Sequence, residues 1–214
     1  MSYRQTPFAL YEYYHVYNRG NSKQLIFKCP ADYQRFQQLL FLCNTTESIS
    51  FRNAQRSKAG LFGTPRTEPL VAIGAYALMP NHFHLLVTPI VEDGVSVFMQ
   101  RLATAYVMYF NRKYDRAGSL FEGLFRSKHV DSDQYLKYLF AYTHLNPVRN
   151  SDRGRASVKE AIDYTYSSLS DYFDNERDER LILNPEAFPN YFSDIIELRS
   201  ELQTWLKIGN DEEK

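Results

Sequence analysis

Cysteine is nearly missing from this chain: 214 residues contain two, Cys29 and Cys43. They have no metal-ligand spacing and cannot form a disulfide framework, which argues against a thiolate metal site and a disulfide-stapled scaffold. A reduced cytosolic compartment is the simplest expectation. Long apolar runs are missing as well. No stretch reaches the ~18 apolar residues needed to span a bilayer, and the opening MSYRQTPFALYEYYHVYNRG has no apolar leader core, so no membrane partner is expected. Histidine is scarce, at five residues, and formal net charge is zero.

The zero net charge hides an asymmetry. Up to Arg155 the chain carries 19 Lys and Arg against 11 Asp and Glu; beyond it, 6 against 14. The first part is basic enough to meet phosphates and the tail is acidic, although solvated surfaces of opposite sign would look the same. With 17 Tyr and 15 Phe the chain can bury a substantial core, which argues against wholesale disorder.

YYHVYNRG (13–20) is β-branched and aromatic and ends in a turn, so it predicts a strand. Residues 31–43 place Tyr33, Phe36, Leu39, Leu40 and Cys43 at helical spacing. Residues 45–69 read as a long polar loop with a short strand near Ile49–Arg52. Its Arg52, Arg56, Lys58 and Arg66 suit a loop facing DNA or, equally, a flexible surface insertion. LVAIGAYAL (70–78), the turn Met79-Pro80-Asn81 and HFHLLVTPI (82–90) predict a β-hairpin. A helix follows, with Phe98, Leu102, Tyr106, Tyr109 and Lys113 on one face and Gly118 placed to end it. A short strand-like piece lies within 119–130. The next helix is capped by Asp131, Ser132 or Asp133 and is expected to end at Pro147. One more helix is predicted over SVKEAIDYTYSSLSDYF (157–173), and an amphipathic stretch lies in FSDIIELRSELQTWLKI (192–208). This order predicts an α+β fold: a ferredoxin-like β-α-β-β-α-β antiparallel sheet with helices on one face, plus added C-terminal helices. The expected division is a domain over 1–150 and a helical, acidic extension over 151–214 packed on it.

MPNHFHLLVTP holds the chemistry-bearing pair. Strand side chains alternate, so His82 and His84 share one face and Phe83 points into the other layer. Two imidazoles on one face, just after a turn, can reach one divalent cation if each is neutral and anchored through its second nitrogen. A solvated strand face is the commoner reading of a bare pair, and two ligands make an incomplete site. YLFAYTHLNPVRN supplies further candidates. Tyr142 and Asn146 are four apart on one helix face, and Tyr138 extends the stripe. The Asn146 oxygen suits a hard cation such as Mg²⁺ or Mn²⁺. The Tyr142 phenol can attack phosphorus, but its ordinary pKa near 10 demands activation. Tyr106 and Tyr109 are rival nucleophiles on an apolar stripe, where packing is the better reading. His144, about 200° around the helix from Tyr142, is expected to be buried. His15 either lies beside the pair or fills a strand face, and His129 is placed to touch backbone phosphate.

MPNHFHLL and YTHLNPVRN, in this order and about sixty residues apart, resemble the single-tyrosine HUH transposases. More closely, they resemble the REP-associated tyrosine transposases of bacterial chromosomes. YYHVYNRGN and YSSLSDY (166–172) add to the likeness, which spans roughly Tyr13 to Tyr172. The resemblance implies a ferredoxin-like sheet with the histidine pair on its central surface and a helix presenting the nucleophile. It also implies cleavage of single-stranded DNA near a hairpin, leaving a 5′-phosphotyrosine and a free 3′-hydroxyl. Carried over by motif, His82 and His84 are metal ligands, Asn146 is a third, and Tyr142 is the nucleophile.

Candidate DNA contacts are Arg19, Arg101, Arg112, Lys113, Arg116, Arg126, Lys128 and Arg149. Three of them cluster among Tyr109, Phe110 and Tyr114 at one helix end, a mix that suits single strands; surface arginines covering apolar neighbours read alike. The expected protein is therefore a metal-dependent single-strand DNA endonuclease and strand transferase with single-stranded or hairpin DNA as partner. It would need no small-molecule cofactor, would reside in the bacterial cytoplasm near the nucleoid, and would act as a monomer in preference to a homodimer. A non-catalytic hairpin-binding protein is the runner-up. A metal hydrolase that uses water would leave no covalent adduct, and an RNA-binding module would show an aromatic strand motif that is not found. The acidic tail either covers the DNA site or is a plain extension.

Overall fold

The computed structural model describes residues 7–47, 54, 60–149, 156–173, 176–192 and 194–211. The chain runs through β1 (Tyr13–Arg19), α1 (Pro30–Leu42), β2 (Val71–Met79), β3 (His82–Pro89), α2 (Gly94–Lys113), β4 (Arg126–Val130), α3 (Asp133–Arg149), α4 (Val158–Asp163) and α5 (Ile195–Asp211). The strands pair antiparallel in the order β2-β3-β1-β4, which is the ferredoxin-like arrangement expected from the element order.

Side-chain alternation sorts the sheet between two cores. Val16, Phe83 and Leu85 point toward α1 and α2, where they meet Phe36, Phe98, Leu102 and Tyr106. Ala75 and Leu86 point the other way, toward Leu136, Leu139 and Leu145 of α3. The two helices of the repeat thus share one face, and the added helix α3 covers the other. Coverage on both sides explains why β2 is buried at all nine positions, a pattern of continuous apolar residues rather than alternation.

The hairpin turn that launches the histidines is pinned from outside. The Ile26 and Phe27 amides both donate to the Pro80 carbonyl, at 2.9 and 3.0 Å, and the Gly20 amide donates to Asn81 at 2.8 Å. Glycine is required at position 20, because a Cβ there would sit 2.1 Å from the Gln24 carbonyl oxygen.

Three elements depart from the sequence expectation. α2 stops at Lys113: the Tyr114 amide closes on Phe110 and Asp115 turns into left-handed backbone, so Gly118 lies in the following turn. α3 passes through Pro147 to Arg149. The proline forfeits one hydrogen bond, to Thr143, in the last turn, and the buried Leu145 and Val148 keep that turn packed. The helix predicted over 157–173 breaks after Asp163. Residues 164–168 instead close the open edge of β2: Leu78 N–H donates to Tyr166 at 2.9 Å and Ser168 N–H to Tyr76 at 3.0 Å. Unpaired edge groups outcompete helical propensity here. The strand expected near Ile49–Arg52 lies outside the described residues. α5 packs through Leu198, Leu202 and Leu206 onto the α3 layer. Among the described residues, no helix is long and apolar enough to cross a membrane.

At the start of α1, Asp32 is fully buried. It accepts from the Lys28 and Cys29 amides, from Tyr109 and Tyr114, and from Lys113 Nζ at 2.5 Å. Burial pushes its pKa up, but the Lys113, Tyr114 and amide hydrogen bonds outweigh that and hold it below the ordinary carboxylate value. Its stabilisation is therefore complete above about pH 4 and is lost as pH falls further. Asp32→Ala is expected to cost about 3 kcal/mol, because Lys113 and the helix start lose their partner. Urea denaturation checks this, and a loss under about 1 kcal/mol would show that the cluster is dispensable.

Candidate active site

The register places the histidines. His82 lies opposite Arg19 and His84 opposite Tyr17, and both project with His15 and Tyr17 from the α3 side of the sheet. Each member of the pair is tied at one ring nitrogen. His82 Nδ1 is 2.6 Å from Asn81 Oδ1, and His84 Nδ1 is 2.7 Å from His15 Nε2. The second nitrogen of His84 is left as a candidate donor atom, while that of His82 faces Asn146. These anchors were the part that the strand pattern could not provide. Asn81 looked like a turn residue, and only the β1–β3 register shows that His15 meets His84.

All three imidazoles are neutral. Burial lowers His84 to about 2, helped by the proximity of His15 and His82. Burial and the Lys128 charge lower His15 to about 4. His82 is also lowered, mainly by burial, with a hydrogen bond to Asn146 acting in the opposite direction and the Arg19 charge adding to the fall.

α3 brings Tyr142 across this group. Its ring centroid is 5.5 Å from that of His84 and 6.2 Å from that of His15. Asn146, one turn on, lies within reach of both Tyr142 and His82, lowering the Tyr142 pKa and raising that of His82. Burial first, and then the neighbouring Tyr138, raise the Tyr142 pKa above its ordinary value; the Asn146 hydrogen bond and the Arg149 charge pull it back. The Arg149 guanidinium sits 5.7 Å from the Tyr142 ring centroid and donates to the Trp205 carbonyl. His82, His84, Tyr142 and Asn146 therefore meet in one place.

Neutral, anchored imidazoles beside an amide oxygen form a donor set that suits a hard divalent cation. Among the described residues, no three His, Cys, Asp or Glu side chains are grouped to hold a metal, so Asn146 is the candidate third protein donor.

The basic candidates separate into groups. Arg19 and Arg126 join Tyr17, Asn18, Lys23, Asn81 and His82 around a cleft of about 280 Å³; Arg19 is also paired with Glu122. Lys128 lies 4.4 Å from the Tyr135 ring centroid on the same side. Lys113 is held by Asp32, Arg116 donates to Asn111 and lies over Phe110, and Arg112 is exposed beside them on the layer behind the sheet. Arg101 is tied to the carbonyls of Thr45 and Thr46, and Arg66 covers Phe41 and donates to its carbonyl. Arg52, Arg56 and Lys58 lie outside the described residues. His129 meets Glu12 at 2.8 Å. Tyr106 is buried with its hydroxyl on the Ile26 carbonyl, and Tyr109 is bound to Asp32. His144 is buried against Ser168 Oγ at 2.7 Å.

Residues 36–145 match the family model of IS200-like transposases. Among solved structures, that of a REP-associated tyrosine transposase bound to a REP hairpin is similar over 92% of this chain and 96% of its own, with a TM-score of 0.52 and 14% sequence identity. A search of curated proteins finds no match.

Because His15 and His84 have pKa values depressed below 6.5, the unfolded chain takes up their protons first, and stability falls as pH drops from about 6.5 toward 4. Their imidazole NMR resonances are expected to stay flat between about pH 8 and 5. A midpoint near 6.5 for either would show that the pair is solvated.

Proposed function

The chain belongs to the family of IS200-like transposases, and from that membership we propose that it cuts and rejoins single-stranded DNA beside hairpins through a covalent bond to Tyr142. The observation that carries this reading is the placement of Tyr142 against the histidine pair, its ring centroid 5.5 Å from that of His84, with Asn146 acting on both Tyr142 and His82. The hairpin in the similar transposase complex supports hairpin DNA as the partner.

In the proposed step the Tyr142 oxygen attacks phosphorus and the bond from phosphorus to the 3′ oxygen breaks. The phosphate stays on the 5′ side as a phosphotyrosine. The 3′ oxygen leaves as a hydroxyl, gaining the proton that the phenol gives up. Rejoining is the reverse, with a 3′-hydroxyl as nucleophile and the phenol as leaving group. Each residue has a task. Asn146 orients the phenol, and the Arg149 charge eases its ionisation. Asn81 and His15 fix the rings of His82 and His84. Arg19, Lys23 and Arg126 line the cleft next to His82 and would hold flanking phosphates, as Lys128 would beyond it. A Mg²⁺ or Mn²⁺ ion held by His82, His84 and the Asn146 oxygen would neutralise charge on the scissile phosphate.

The site is completed within one chain. Asp131 and Ser132 form the whole link from β4 to α3, and α3 is packed on its own sheet through Leu136 and Leu139. A helix on so short a tether cannot reach across to a second copy without unpacking.

With a labelled hairpin oligonucleotide and Mg²⁺ or Mn²⁺, the label is expected to travel with the protein on a denaturing gel. Tyr142→Phe should abolish this adduct while leaving hairpin affinity within a few-fold. An adduct that persists would move the nucleophile elsewhere, and tight binding with no adduct in the unaltered chain would leave a hairpin-binding protein.

Mixing Tyr142→Phe with His82→Ala is expected to give no adduct, because neither chain holds a complete site. Recovery of a substantial fraction of activity in the mixture would demonstrate exchange of α3 between chains.

A further inference from the structure

Two hollows meet at the end of β1. One is the basic cleft beside His82. The other, about 850 Å³, opens on the opposite layer between α2 and the turn before β4. Tyr17, Asn18 and Arg126 line both. They meet because β4 is short: it pairs with β1 from Tyr13 to Tyr17. Past Tyr17 the β1 edge is closed by the turn at 121–125, through the Gly20–Phe121 bridge and a 2.9 Å bond from the Glu122 amide to the Arg19 carbonyl.

The larger hollow has the makings of a ligand site. Its size falls in the range that encloses small organic groups, about 300–1,000 Å³. Its floor is apolar, with Phe83, Met99 and Phe121 buried. Leu124 lines it while remaining 80% exposed, an apolar surface left largely uncovered by the described residues. Gln100, exposed on α2, offers a donor and an acceptor from one amide. Arg126, where the two hollows join, is exposed and cationic.

We infer that this hollow receives one unpaired base of the DNA strand whose backbone passes His82, and so contributes sequence choice to the cut. The inference rests on the reading of the chain as a single-strand DNA transferase. A nucleotide presents a flat apolar face, a hydrogen-bonding edge and a negative phosphate. The hollow answers with an apolar floor, the Gln100 amide and Arg126 at the junction. Duplex bases are stacked and paired, so only the single-stranded flank of a hairpin can supply the occupant. An apolar peptide would fit the floor but would leave the Arg126 charge and the adjoining basic cleft without a role.

The test uses the full chain with Tyr142→Phe, which binds without cutting. Hairpins with a single-stranded flank are made abasic at one flank position at a time. One position is expected to lose about tenfold or more in affinity, while a hairpin with no flank binds with the reduced affinity throughout. Ala103→Trp, which fills the hollow, should reproduce that loss and abolish the sensitivity. Should that variant not fold, 5-iodouracil at the sensitive position is expected to crosslink to Met99, Phe121 or Phe125. A flat abasic scan overturns the inference, as does a sensitivity unchanged in folded Ala103→Trp, or crosslinks confined elsewhere. If the adduct on Tyr142 forms while the scan is flat, this inference alone fails. If the unaltered chain binds no hairpin DNA, the functional reading fails with it.

Discussion

A sheet covered on both faces leaves little water for polar side chains that point out of it, and the chemistry of this protein depends on that constraint. His15, His84 and Tyr142 all sit between the sheet and α3. A buried imidazole resists a proton unless a counter-charge holds it, so His84 and His15 pair with each other through one hydrogen bond and stay neutral. Neutrality is what a metal-ligating imidazole requires, and the His15–His84 bond needs one ring to accept. The same burial raises the Tyr142 pKa, and Asn146 and the Arg149 charge pull it back. The coverage that assembles the candidate site therefore also tunes it.

The two layers have different tasks. α1 and α2 supply the larger aromatic core, with Phe36, Phe83, Phe98 and Tyr106 fully enclosed. Their ends are fastened by the Asp32 cluster, which engages Lys113. The other layer carries reactive side chains and is held by smaller contacts, such as Arg149 on the Trp205 carbonyl. The C-terminal extension joins them, because residues 164–168 finish the β2 edge while α5 packs behind α3. This uncharged stretch of the acidic extension closes an edge that would otherwise invite pairing with another chain.

The strands and most helices were legible in the sequence because their signals are local. Alternation in HFHLLVTP placed His82 and His84 on one face, and fourfold spacing placed Tyr142 with Asn146. The misread elements were those where a distant partner decided. Residues 164–168 had helical spacing but met unpaired strand groups. Pro147 looked like a stop, yet Val148 beyond it had a core to enter. Gly118 looked like the helix end, yet the backbone had already turned at Asp115.

By itself, then, the sequence determined the element order, the shared faces, the basic and acidic halves and the residues able to attack or ligate, since each follows from spacing a few residues long. Tertiary structure alone decided which side chains meet. Antiparallel register set His15 against His84 and Arg19 opposite His82. The crossing of α3 over β3 set Asn146 between Tyr142 and His82. Register and crossing depend on how two faces fit, with Phe83 and Leu85 filling one side and Leu86 the other, and that fit is a property of surfaces many residues apart in the chain.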